Sequence, residues 1–96
     1  MDDQRCPPPA SFLALYTDAR KRPTESLDWL IERHDLCESL AQQLSPSVRA
    51  AMADDGLGLD DVMPRCRQVL EHPGIGLSAA EVSWILSRLS ELACLF

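Results

Sequence analysis

Aromatic residues are scarce in this chain: two Trp, one Tyr and two Phe in 96 residues. The core must therefore come from aliphatic side chains, and each tryptophan weighs heavily on whatever surface or core it joins. Glycine is scarce too, with four. Gly74-Ile75-Gly76 precedes a helix start, but it lacks the preceding strand, third glycine and lysine of a phosphate cradle. Positive charge is also short. Nine Lys and Arg stand against fifteen Asp and Glu, a net charge of −6. The one basic cluster, Arg20-Lys21-Arg22, is too small to track a phosphate backbone, so no nucleic-acid partner is expected. It reads instead as the cationic last turn of a first helix, favourable against the helix dipole.

Cys6, Cys37, Cys66 and Cys94 are widely spaced and none belongs to a Cys-x-x-Cys pair. That excludes a zinc-ribbon pattern and points to reduced thiols, with Cys37 and Cys66 as small buried hydrophobes. No apolar signal-peptide region follows Met1-Asp2-Asp3-Gln4-Arg5, and no apolar run approaches the ~20 residues of a membrane span. A cytoplasmic protein with no membrane partner is expected. Period-two alternation of useful length is also missing, so no sheet is expected.

What is present is helical periodicity. Hydrophobic residues are 46% and charged residues 25%, the balance of one ordinary globular domain. Residues 1–9, with Pro7-Pro8-Pro9, read as a Pro-rich N-terminal tail, and residues 10–96 as the helical domain. The clearest helix is the last, over Leu77 to Phe96. Ser78-Ala79-Ala80-Glu81 is a capping box, with Leu77 and Val82 as a hydrophobic staple. Val82, Ile85, Leu86, Leu89, Leu92, Ala93 and Phe96 form one apolar stripe. Trp84 and Leu95 fall off that stripe, near Arg88 and Glu91, so this helix is either sandwiched in its own protein or offers one side to a partner.

Ahead of it, a first helix is predicted over Ala10 to Lys21, stopped by Pro23. A second, capped by Thr24, runs to about Leu44. Leu27, Leu30, Cys37, Leu40, Ala41 and Leu44 share half of its wheel, widened by Trp29 and Leu36. Arg33 projects inside that apolar arc, either snorkelling to water or meeting a carboxylate of a partner or another subunit. Ser45-Pro46 reads as a new start, giving a short third helix from Pro46 to Ala53 that ends at a left-handed Gly56. Asp60 or Asp61 should cap a fourth from Val62 to Glu71, with Pro64 in its first turn and Val62, Met63, Cys66, Val69 and Leu70 inward. The fold class is thus all-α: a compact domain of about five helices, orthogonal or bundle-like. One internal echo lays Leu27-Asp28-Trp29-Leu30-Ile31-Glu32-Arg33 on Val82-Ser83-Trp84-Ile85-Leu86-Ser87-Arg88. It fits two helices doing equivalent jobs, though chance between two amphipathic helices is the simpler reading.

Chemistry is thinly signalled. His34 and Cys37 could reach one metal, completed by Cys66, His72 or Cys94, which leaves a Cys/His metal-dependent sensor as a distant alternative. Asp54-Asp55-Gly56-Leu57-Gly58-Leu59-Asp60-Asp61 lacks the alternating ligands of a calcium loop, with Arg65 where the bidentate glutamate belongs. No glycine elbow or oxyanion loop accompanies a thiol, so neither an enzyme nor a cofactor is expected. What remains is surface. Trp29, Arg33 and Leu36 on one helix, with Trp84, Arg88 and Leu95 on another, form the candidate protein-binding set, built mainly from Trp and Arg, the types enriched at interface hot spots. The expected function is a small intracellular interaction module: an adaptor, regulator, anti-activator or dedicated chaperone. It would present an apolar helical surface to an amphipathic helix or basic segment of another protein, either alone or as a homodimer. A helix-turn-helix regulator is the alternative, weakened because the final helix offers only Arg88 to DNA.

Overall fold

The computed structural model describes residues 8–94. Its elements are α1 (Ala10–Leu13), continued by a 3-10 turn (Ala14–Tyr16), α2 (Leu27–Asp54), α3 (Leu59–Leu70) and α4 (Ala79–Cys94). No strand occurs among the described residues; Thr17 and Pro23 form only an isolated bridge. The all-α expectation holds, with four helices instead of five.

The missing helix has merged with its neighbour. Ser45-Pro46 does not start a helix; Pro46 lies inside α2, which runs on for 28 residues. Pro46 has no N–H for the Gln42 carbonyl, a defect of about 3 kcal/mol in a helix interior. Burial overrides it: Ala41, Ser45 and Val48 on either side are all buried. At 1.5 Å per residue α2 is about 42 Å long, which matches the 43 Å long axis of the molecule.

The first helix is also corrected. It stops at a single α turn plus the 3-10 turn because Thr17 is extended and its hydroxyl donates to the Leu13 carbonyl (2.6 Å). Arg20-Lys21-Arg22 is therefore not a last helical turn; it occupies the loop whose ends, Thr17 and Pro23, are bridged. The N-cap of α2 is Ser26, whose hydroxyl accepts the Trp29 N–H (3.2 Å). Thr24, the predicted cap, uses its hydroxyl on the Tyr16 carbonyl (3.0 Å). α3 starts at Leu59 after Gly58, earlier than predicted, so Pro64 falls in its second turn. Asp61 is not the cap; from inside the helix its carboxylate accepts the Gly58 N–H (3.3 Å). Gly56 adopts the expected positive φ (68°) between α2 and α3.

α2 packs most extensively against α4. Arg33 bonds Glu81 and Arg88 bonds Glu38, so partner numbers rise together and the two helices run parallel. α3 returns along the second half of α2, where Leu44, Val48 and Ala51 of α2 line one groove with Val62, Cys66 and Val69 of α3. The core joins Leu30, Cys37, Ala41 and Val48 of α2, Val62, Cys66 and Leu70 of α3, and the expected stripe of α4 from Val82 to Ala93. Phe96 and Leu95 lie outside the described residues, as does most of the 1–9 tail. The N-terminal segment lies over α2 and α4 through Phe12, which is fully buried.

Restoring the backbone donor in the middle of α2 should stabilise the fold. Pro46→Ala is expected to raise the free energy of unfolding by about 1–3 kcal/mol in urea titrations, and a loss of stability would show that the proline geometry is required.

Candidate functional site

The six sequence-predicted residues separate into two environments. Trp84 is only 9% exposed. Its ring meets Phe12 and His34 edge-to-face, each with centroids 5.4 Å away, and its indole N–H donates to Ser11 Oγ at 3.1 Å. The N-terminal segment thus covers the side of α4 opposite its stripe, and Trp84 belongs to the core. Beside it, Arg88 donates to both Glu38 oxygens (2.9 and 3.2 Å from Nε) and to Glu91 (3.3 Å). Two clefts border this corner and share Ser11, Trp84, Arg88 and Glu91. Their arginine is already neutralised. Glu38 is held below the ordinary carboxylate range, because the Arg88 and Gln42 hydrogen bonds outweigh its partial burial.

Arg33 does not wait for a partner's carboxylate; the carboxylate is in its own chain. Its Nε and Nη2 donate to the two oxygens of Glu81 at 2.9 and 2.6 Å, and Nη2 also reaches the Gly76 carbonyl at 3.2 Å. Glu81 is 1% exposed. Its Oε1 additionally accepts the Ser78 N–H (2.9 Å) while Ser78 Oγ accepts the Glu81 N–H (3.1 Å), so the capping box is present as predicted. Burial alone would raise the Glu81 pKa, but the Arg33 bonds, the facing Tyr16 phenol and the Ser78 N–H overcome it and hold the carboxyl at about 2. Tyr16 is pushed up to about 12 by burial and by that same carboxylate. The sequence missed Glu81 as a buried ion because the capping box already accounted for it.

Trp29 and Leu36 remain open, at 36% and 37% exposure. Trp29 meets Tyr16 edge-to-face with centroids 5.0 Å apart, and the Arg33 guanidinium lies 5.8 Å from its ring centroid. At about 100° per residue, Trp29, Arg33, Leu36, Leu40, Leu44, Ser47 and Ala51 fall within an arc of about 80° on α2. α3, about 18 Å long, lies along only the second half of that face. There a groove of ≈ 210 Å³ opens between Leu44, Val48 and Ala51 of α2 and Val62, Cys66 and Val69 of α3, with Ser47 and Arg65 as its polar members. Val69, predicted inward, is 53% exposed on the groove lip. Leu27, placed on the apolar half by the sequence, is exposed on the other side of α2. The stripe from Trp29 to Ala51 was legible as one face only once Ser45-Pro46 ceased to divide it.

His34 packs among Phe12 and Trp84. Cys37 is fully buried, and burial, then the nearby Glu81 charge, pushes its thiol up to about 12. Burial also raises the Cys66 thiol. Both are therefore protonated and poor nucleophiles at neutral pH. Among the described residues no group of three or more His, Cys, Asp or Glu is placed to hold a metal. No described helix is long and apolar enough to cross a membrane. No protein-family model, curated protein or solved structure matches the chain.

Two outcomes follow. Glu81 is held low in the fold, so its contribution, on the order of 3 kcal/mol, is complete above its ordinary value of 4.5 and is lost as pH falls toward 2. Urea titrations from pH 6 to about 2 should show that loss, and it should be much reduced in Glu81→Gln, which begins from a lower plateau. Trp84→Ala should cost about 3–5 kcal/mol. A cost under about 1 kcal/mol would place the indole outside the core.

Proposed function

We infer that the protein is a small interaction module that receives an amphipathic helix of another protein on the outer face of α2. The observation that carries this reading is the apolar face from Trp29 to Ala51, about 33 Å long, closed by α3 on its second half only. A helix laid there would meet Trp29 and Leu36 first and seat its apolar edge between Leu44 and Val69. That is the helix-in-groove mode, with anchors at spacings of three, four and seven. Trp29 supplies the large ring typical of hot spots, and Arg33 beside it is already fixed by Glu81, so little side-chain freedom is lost on contact. The net charge of −6 favours encounter with a basic amphipathic segment. Adaptor, regulator and dedicated chaperone are all uses of such a surface.

The DNA-reading alternative has less support. α4, its would-be recognition helix, is covered on two sides, and its single arginine is tied to Glu38 and Glu91. A metal-sensing role has less still, with Cys37 sealed in the core.

The reading is tested with a designed Leu/Lys amphipathic peptide titrated against the chain while Trp fluorescence is followed. Saturable binding is expected. Leu36→Glu and Val69→Glu should each weaken it at least tenfold while changing stability by no more than about 0.5 kcal/mol, as exposed substitutions do. Binding unaffected by both substitutions would move the interface off this face. Sedimentation of the free chain reports pairing with itself on the same surface.

A further inference from the structure

The Arg20-Lys21-Arg22 cluster is built into a structured loop. Thr17 and Pro23 bridge its base, and the Thr24 N–H donates to the Tyr16 carbonyl at 2.7 Å. The Asp18 N–H donates to the Arg22 carbonyl and the Lys21 N–H to the Asp18 carbonyl, both at 2.9 Å. The Asp18 carboxylate sits inside the turn, its Oδ1 accepting the N–H groups of Arg20 (2.8 Å) and Arg22 (2.9 Å). Lys21 at the tip has φ 63°, the one positive φ at a non-glycine among the described residues. A lysine is an unfavourable choice for the left-handed region, where glycine or asparagine would relieve the strain. Strain retained against an easy remedy is commonest where a segment does something besides connect.

The three cationic side chains are exposed. Among the described residues, no ion pair ties any of them to a carboxylate side chain, whereas Arg33, Arg67 and Arg88 all have such partners. An acidic chain therefore displays three adjacent cations on a backbone fixed in advance, with no carboxylate side chain paired to them among the described residues.

We propose that the hairpin from Thr17 to Pro23 is a second docking site, for a short acidic segment of another polypeptide. Arg20 and Arg22 are two residues apart, at most about 7 Å between their Cα atoms, so a few carboxylates of a short extended segment can reach all three cations. Its two guanidinium forks suit carboxylates bound two-pronged. An extended polyphosphate would instead have to run onto flanks that carry Glu25, Asp28 and the rest of a −6 surface. The ordered turn removes the entropy that a flexible basic tail loses on binding. The site is independent of the α2 groove and does not require the partner proposed there.

The test uses the full chain and a fluorophore-labelled hexaglutamate peptide, read by anisotropy. Saturable binding in about 20 mM salt should weaken at least tenfold by about 200 mM. Joint Arg20→Glu and Arg22→Glu should abolish it. The deciding pair is Asp18→Asn and Asp18→Ala, which carry the same charge. Asp18→Asn keeps an acceptor oxygen for the two N–H groups and should bind at least as tightly as the native chain. Asp18→Ala frees the loop and should bind at least threefold more weakly. Circular dichroism confirms that each variant is folded, and the Arg20/Arg22 variant carries the test if an Asp18 variant is not. Equal affinities for the Asp18 pair, no saturable binding by the native chain, or tighter binding of a single-stranded oligonucleotide of matched charge would each overturn the proposal.

Discussion

The ion pair between Arg33 and Glu81 joins α2 to the buried start of α4. One guanidinium spans the Glu81 carboxylate and the Gly76 carbonyl, so it fixes the start of α4 and the loop that delivers it against α2. Glu81 in turn closes the capping box with Ser78. Removing one member of such a pair leaves a charge in a site where it has no water, which typically costs 3–5 kcal/mol. Replacing both by apolar groups of similar shape can cost far less, so the pair is better understood as fixing register than as supplying stability. It sets where along α2 the parallel helix begins, and the placement of every α4 residue against α2 follows from that.

That register gives the echo between the two tryptophan segments a physical meaning. Trp29 meets Tyr16, and Trp84 meets Phe12, four residues earlier on the same N-terminal segment. Four residues beyond each tryptophan, Arg33 and Arg88 cross to a glutamate on the opposite helix. The two helices thus do equivalent jobs, each using a ring to hold the N-terminal segment and an arginine to hold its neighbour. The equivalence stops at exposure. Ser11 and Phe12 seal Trp84 from water, while the chain turns away at Thr17 and leaves one side of Trp29 open. Chance likeness was the simpler account of the sequence because the carboxylates lie at unrelated spacings, and only the parallel packing brings them to the arginines.

How far the sequence could be read depended on whether a signal was local. The α4 cap, its stripe from Val82 to Ala93 and the left-handed Gly56 are signalled locally, and each stands as expected. Ser45-Pro46 is also a local signal, but it is ambiguous: the same pair can open a helix or interrupt one, and burial of Ala41 and Val48 decides between the two. The first helix failed for a related reason. Thr17 and Asp18 are tolerable in a helix, but here both are drawn into side-chain bonds with the backbone that compete with it. Arg33 was identified as anomalous, yet its partner stands far along the chain, and no periodicity reports on that distance. Of the candidate site, the sequence contained Trp29 and Leu36. It left out Val69, because the wheel of α3 cannot show that α3 stops short of covering α2.

The open face follows from unequal helix lengths. α2 is about 42 Å long and α3 about 18 Å, so a single return helix cannot cover the outer side of α2. A fifth helix at residues 46–53 would have folded back and provided cover. The merger at Pro46 extends α2 instead and lengthens the face that must be covered. A chain of this size buries roughly two-thirds of its extended surface, and this one has used its N-terminal segment on the Trp84 side. An apolar strip left in water favours self-association unless charge opposes it. Here Arg33 interrupts the strip four residues from its Trp29 end, and a net charge of −6 opposes close approach of like copies. Those two features oppose indiscriminate association while leaving Trp29, Leu36 and Val69 exposed.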